Sequence, residues 1–186
     1  MTAQGTSKMP NSISALQGAH SSGIVEVAEA GLCGMVTLKG ELDAVAGAVT
    51  AVTGQAMPEV RRIVLGTKSV AWMAPDELLI LCDYAQADRV VIELTQTLEG
   101  VHHLAVNVSD ARAVFTLTGT GIRDTLGKVT PADLGALAPL EFRRSRIAQI
   151  PAAFWIDETQ ATVICFRSVA QYAFDLLSNA ARIAVR

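Results

Sequence analysis

The chain has 186 residues, 51% hydrophobic and 18% charged, with 15 Lys and Arg against 18 Asp and Glu for a net charge of −3. That length suits one domain of ordinary size or two small ones packed together, and the composition excludes an unfolded or fibrous chain. The acidic balance, without a concentrated basic face, argues against nucleic acid as a partner, and no apolar run approaches the roughly 18 to 20 residues that cross a bilayer.

Residues 1–23 are rich in Ser, Gly, Ala and Gln and lack the charged start and apolar block of a secretory signal. They read as a flexible N-terminal tail. Segments 24–28 and 33–38 read as strands around a turn at Gly31, an expected hairpin. In 41–53, Leu42, Val45, Ala46, Val49 and Val52 share one helical face, and Gly54 is a natural stop. A short extended piece at 63–65 and a strand at 69–73, centred on Trp72, precede the turn Pro75-Asp76-Glu77. The continuous apolar run 78–82 reads as a strand covered on both faces. Asp83 is expected to cap a helix over 85–98, with Val90, Val91, Leu94 and Leu98 inward and Gly100 ending it. Segment 104–108 closes the first half as a strand.

The second half restarts with a strand at 113–117 and a short helix at 121–126 after Gly119. Pro131, Gly135 and Pro139 break 130–140 into a loop. Strands are expected at 143–149 and 152–156, flanking Pro151, then at 162–166, followed by a helix over 169–180 and a terminal strand at 183–185. The two halves repeat one pattern. Thr37-Leu38-Lys39-Gly40 recurs as Thr116-Leu117-Thr118-Gly119, while Trp72 and Cys82 recur as Trp155 and Cys165 in a slightly shifted register. The expected fold class is therefore α+β: two tandem ferredoxin-like units of βαββαβ type with mainly antiparallel sheets, over 24–110 and 111–186.

What repeats is core and turn chemistry. His102-His103 are adjacent, so on a strand they point to opposite faces and do not share an ion, and no HxH or HExxH spacing accompanies them. No GxSxG elbow frames a serine. Gly119-Thr120-Gly121 lacks the rest of a phosphate loop, since Asp124 stands where the last glycine belongs. Trp72 and Trp155 read as core anchors, and Asp110-Ala111-Arg112 as a local carboxylate and guanidinium turn. Arg143, Arg144 and Arg146 form the one dense basic cluster; on a strand Arg144 and Arg146 share a face, suited either to solvent or to ion pairs with an acidic neighbour. Cys33, Cys82 and Cys165 show no CxxC spacing, which fits a reduced cytoplasmic setting. No catalytic, cofactor-binding or metal-binding residue is assigned.

The segment from Val106 to Gly119, Val-Asn-Val-Ser-Asp-Ala-Arg-Ala-Val-Phe-Thr-Leu-Thr-Gly, and its continuation Thr130-Pro131-Ala132-Asp133-Leu134 resemble the gamma subunit of heterotetrameric sarcosine oxidase. Ala71 to Ile80 and Phe166 to Tyr172 are also similar to that subunit, so the resemblance spans roughly residues 24–182. It implies a structural subunit, on a fold of the aminomethyltransferase folate-binding superfamily, in a complex that oxidatively demethylates sarcosine to glycine. The products would be hydrogen peroxide and formaldehyde or 5,10-methylenetetrahydrofolate. The resemblance further implies alpha, beta and delta subunits as partners, with FAD, FMN, NAD, zinc and tetrahydrofolate carried by them and none by this chain. The competing expectation is a folate-binding, aminomethyltransferase-like one-carbon enzyme or accessory protein.

Overall fold

A computed structural model describes residues 12–182. In chain order it contains β1 (His20–Ser21), β2 (Glu26–Glu29), β3 (Gly34–Gly40), α1 (Leu42–Thr53), β4 (Ile63–Val64), β5 (Ser69–Ala74), β6 (Glu77–Cys82) and α2 (Ala87–Thr97). There follow β7 (His103–Asn107), β8 (Arg112–Thr118), α3 (Ile122–Gly127), β9 (Arg143–Ile147), β10 (Ile150–Ile156), β11 (Gln160–Phe166) and α4 (Ala170–Ala181). The strands form two sheets, in the orders β4-β5-β6-β3-β7 and β1-β2-β8-β11-β10-β9, with every pairing antiparallel.

The five-stranded sheet carries the βαββαβ order: β3, α1, β5, β6, α2, β7, with β7 returning beside β3. In the six-stranded sheet β8, α3, β10, β11 and α4 repeat that order, and the place beside β8 belongs to β2 from the other end of the chain. Strand residues alternate between two burial layers, as a pleat requires. Val36, Leu38, Leu78 and Ile80 pack with Val45, Val49, Val90 and Leu94 of the two helices on one side of the first sheet. Phe115, Leu117, Phe154 and Val163 pack likewise with Ala173 and Leu177 of α4. Between the sheets lies a third cluster, including Met35, Met73, Leu79, Val114, Trp155 and Ile164. Each sheet is thus covered on both faces, which is why its central strands read as unbroken apolar runs. Each fully buried Leu or Phe in these layers contributes roughly 1.5–3 kcal/mol.

Backbone bonds also cross between the sheets. Ile63 N–H donates to Leu140 O at 3.1 Å and Phe142 N–H donates to Arg61 O at 2.8 Å, so the loop before β9 continues the edge at β4.

Several expectations change. Residues 24–28 and 33–38 do not form a hairpin: β2 pairs with β8, as Glu26↔Thr118 to Glu29↔Phe115, while β3 pairs with β6 and β7. The apolar pattern of a strand is the same whichever partner takes it, so the long-range choice was hidden. Within the expected tail, His20–Ser21 pairs with β2, and Glu29 accepts hydrogen bonds from the amides of Leu16 and Gly18 at 2.9 and 2.7 Å. Asp83 lies before a single 3-10 turn leading into α2 and makes no side-chain cap; its carbonyl takes the Gln86 amide. The loop over 130–140 and the stop at Gly54, with φ 71°, are as expected. The strand expected at 183–185 lies outside the described residues.

The repeat is only partly structural. Cys82 and Cys165 both face the helix layers of their sheets. Trp72 and Trp155 do not correspond: Trp72 pairs with Leu78 and packs on the helix side, whereas Trp155 pairs with Thr162 and lies between the sheets. A bulge between Trp72 and Ala74 shifts the first hairpin by one residue, and one residue exchanges faces.

Candidate functional site

The end of the layer between the sheets opens into a cleft of about 390 Å³, lined by Met73, Leu79, Ile164 and Phe166 together with Glu77, Arg112 and Arg144. Arg112 begins β8 and Phe166 ends β11, and the two are direct cross-strand partners. That register puts the guanidinium carbon 4.4 Å from the centre of the Phe166 ring. Such cation–π stacking favours a planar, weakly hydrated cation. Arg112 Nε is buried and has no hydrogen-bond partner among the described residues. Burial lowers the Arg112 pKa; nearby Glu77 acts to raise it and Arg144 to lower it further.

Arg144, on the edge strand β9, reaches back to the first sheet, its Nη1 donating to the Met73 carbonyl at 3.0 Å. Glu77 opens β6 and lies 3.6 Å from Lys39 Nζ, so its charge is answered by the neighbouring strand. Two guanidiniums therefore face the cleft with one carboxylate that is already paired. The cleft thus carries a positive excess, and among its lining residues no nucleophile is paired with a base.

The basic cluster divides. Arg144 and Arg146 share a face of β9, as the alternation required, but only Arg144 lines the cleft. Arg143 turns the other way and donates to Glu141 at 2.7 Å, and Arg61 donates to the same Oε1. Glu141 also accepts from the Ala138 amide at 3.2 Å. Burial alone would raise its carboxyl, yet the bonds from Arg61 and Ala138 and the charge of Arg143 hold it below the usual carboxylate range. Glu141 is thus a pin of the crossing between the sheets.

The remaining motifs are occupied by structural bonds. His103 Nδ1 lies 2.8 Å from the Val101 carbonyl, and among the described residues no three His, Cys, Asp or Glu side chains come together to hold a metal ion. Gly119 has φ 130°, and a Cβ there would meet the Ile24 carbonyl oxygen at 2.9 Å, so the turn after β8 needs glycine to pass the backbone just before β2. Asp110 accepts from Tyr84 Oη at 2.9 Å, while Arg112 turns into the cleft, so the expected local pair does not form. Burial raises the Cys33 and Cys165 thiols to about 11, far from the range of a reactive thiolate.

Sequence reading missed the cleft because its charged groups come from three strands separated by more than 30 residues each. Glu77 reads locally as turn chemistry and Arg112 as a loop residue. The one available signal was the placement of Arg112 and Phe166 at opposite ends of two strands that pair.

The sarcosine oxidase, gamma subunit family matches residues 40–181. No curated protein matches the chain. The fold is similar to a chain of the heterotetrameric sarcosine oxidase from Corynebacterium sp. U-96 in complex with pyrrole 2-carboxylate, with a TM-score of 0.78 and 21% identity over 90% of this chain and 91% of that one. It is also similar to the glycine cleavage system aminomethyltransferase T from Bartonella henselae, with a TM-score of 0.61 and 10% identity over 78% of this chain and 43% of that one. A third likeness is to the regulatory subunit of aspartate kinase from Thermus thermophilus, with a TM-score of 0.51 and 14% identity over 84% of this chain and 97% of that one.

Proposed function

The chain belongs to the sarcosine oxidase gamma subunit family, and on that premise we propose that it is a non-catalytic subunit of a heterotetrameric sarcosine oxidase. The assembly would oxidatively demethylate sarcosine to glycine, yielding hydrogen peroxide and formaldehyde or 5,10-methylenetetrahydrofolate. The carrying observation is the family match over 40–181, well over half of the chain. In this reading the alpha, beta and delta subunits are the partners and hold FAD, FMN, NAD, zinc and tetrahydrofolate, in the cytoplasm. Among the described residues no helix is long and apolar enough to cross a membrane. The chain divides near residue 110 into two halves, with β2 completing the sheet of the second.

The structural role is supported by the uses to which the candidate groups are put: Glu141, Arg61 and Arg143 join the sheets, His103 bonds its own backbone, and the cysteines pack as apolar groups. Co-expression with the other subunits tests the proposal. The chain is expected to co-purify with flavin-bearing subunits in equal amount; a soluble chain that never associates with them would refute it. The likeness to aminomethyltransferase T concerns the fold, and calorimetry with tetrahydrofolate on the isolated chain separates the alternative, with heat of binding supporting a folate-binding protein.

A further inference from the structure

We propose that the Arg112–Arg144 cleft is a socket for a carboxylate side chain of a partner subunit, an interaction that rests on membership of the sarcosine oxidase complex. Three observations converge on an acidic occupant. First, the Arg112 guanidinium lines the cleft and makes no hydrogen bond or ion pair among the described residues, while Phe166 and the β8–β11 register hold its plane in place. A guanidinium lacking an acceptor is matched by a carboxylate, whose two oxygens can take parallel N–H bonds from its terminal nitrogens. Second, Arg144 faces the same space, and although Glu77 attracts Arg112 more strongly than Arg144 repels it, Glu77 also lies 3.6 Å from Lys39, so two guanidiniums against one shared carboxylate leave the opening a positive excess. Third, the lining beside the guanidiniums is apolar: Met73, Leu79 and Ile164 lie in the layer between the sheets, and Phe166 is 43% exposed although its ring carries the cation.

This combination fits an Asp or Glu flanked by apolar residues on a protruding segment. The carboxylate meets the two guanidiniums, the Phe166 ring is covered, and the flanking side chains meet the apolar wall. A charged anchor inside an apolar rim is the pattern of an interface hot spot, in which Arg and aromatic residues carry most of the binding. The position suits such a role, since the cleft opens beside β9, the edge strand of the six-stranded sheet.

The test uses the full chain co-expressed with the alpha, beta and delta subunits, with Arg112→Met, Arg144→Gln and, as a control of equal charge change, Arg146→Gln. Arg146 is exposed on the same strand and does not line the cleft. Arg112→Met and Arg144→Gln are expected to weaken retention in the complex by roughly thirtyfold or more, the scale for removing one partner of a desolvated charge pair. Arg146→Gln is expected to leave it unchanged. Circular dichroism and the urea midpoint of each chain establish that it is folded; should Arg112→Met fail to fold, Arg144→Gln and the charge-retaining Arg112→Lys carry the test.

Equal retention of the wild-type, Arg112 and Arg144 chains would overturn the socket while leaving the subunit assignment standing. Failure of the wild-type chain to join the complex would overturn both. A titration of the free chain with glutarate distinguishes the source of the carboxylate: tight binding abolished by Arg144→Gln, together with unaltered assembly, would assign the cleft to a small free acid and refute the partner. Salt-sensitive self-association of the wild-type chain, lost in Arg112→Met, would assign it to a second copy and refute the proposal equally.

Discussion

Phe142 and Trp155 stack with ring centroids 5.8 Å apart and planes inclined by 28°, in the layer where the two sheets meet. Phe142 also donates its amide to Arg61, so the ring pair sits directly beneath the backbone crossing from one sheet to the other. The stack continues the β9–β10 register, in which Arg143 faces Phe154 and the Leu140 amide donates to Ile156 O at 2.9 Å, so it seals that hairpin where it meets the first sheet.

Trp155→Ala is therefore expected to destabilise the protein by about 3–5 kcal/mol, the usual cost of emptying a large aromatic site in a core. Trp72 is half-buried at the margin of the helix-facing cluster, and Trp72→Ala is expected to cost less than half as much. Urea unfolding followed by circular dichroism compares them; equal losses would contradict the separate locations of the two indoles.

Glu141→Gln removes the charge shared by Arg61 and Arg143 and is expected to cost about 1–3 kcal/mol at pH 7. The folded carboxyl is held below its ordinary value of 4.5, so its contribution is complete above that value and is lost as pH falls through the folded pKa. The difference in urea midpoint between wild type and variant should consequently narrow toward pH 3. A difference that widened in acid would be inconsistent with the ion pair.

Glu29, only 7% exposed, holds the segment before β1 by accepting from Ser14 Oγ at 2.9 Å and from the Leu16 and Gly18 amides. Glu29→Ala is expected to accelerate amide exchange at Leu16 and Gly18 at least tenfold, equivalent to about 1.4 kcal/mol of local stability. Exchange within β8 should remain unchanged. Unaltered exchange at both amides would show that the carboxylate does not anchor this segment.

Thiol reactivity offers a fourth test. Burial pushes Cys33 up to about 11, with Cys82 and Asp83 adding repulsion, and pushes Cys165 up to about 11 against the attraction of Arg112. Neither should react with a disulfide reagent at pH 8 until the chain is unfolded. Because the folded thiols ionise later than their ordinary value of 9.0, their stabilising effect is complete below that pH and is lost as pH rises toward 11. Rapid labelling of the folded protein at pH 8 would contradict this.

The elements were largely legible because their signals are local. The stripe Leu42, Val45, Val49 specified α1, Gly54 its end, and the run 78–82 a strand buried on both faces. Pairing was harder to read: Val25 and Val27 look equally suited to β3 or β8, and their choice of β8 depends on residues some 90 positions away. The tryptophan repeat misled for a related reason, since a single bulge at Met73 changes a face without changing the spacing pattern.

By itself the sequence determined the compositional class, the helices and most of the strands, the duplicated order and, through residues 71–80, 106–119 and 166–172, the family resemblance. These depend on short-range periodicity and on residue identity, which a linear chain displays directly. Only the tertiary structure decided that β2 completes the second sheet, that Trp155 lies between the sheets, and that Arg112, Phe166, Arg144 and Glu77 meet at one opening. Those relations depend on strand register and on the packing of one sheet against the other, and a local pattern carries neither.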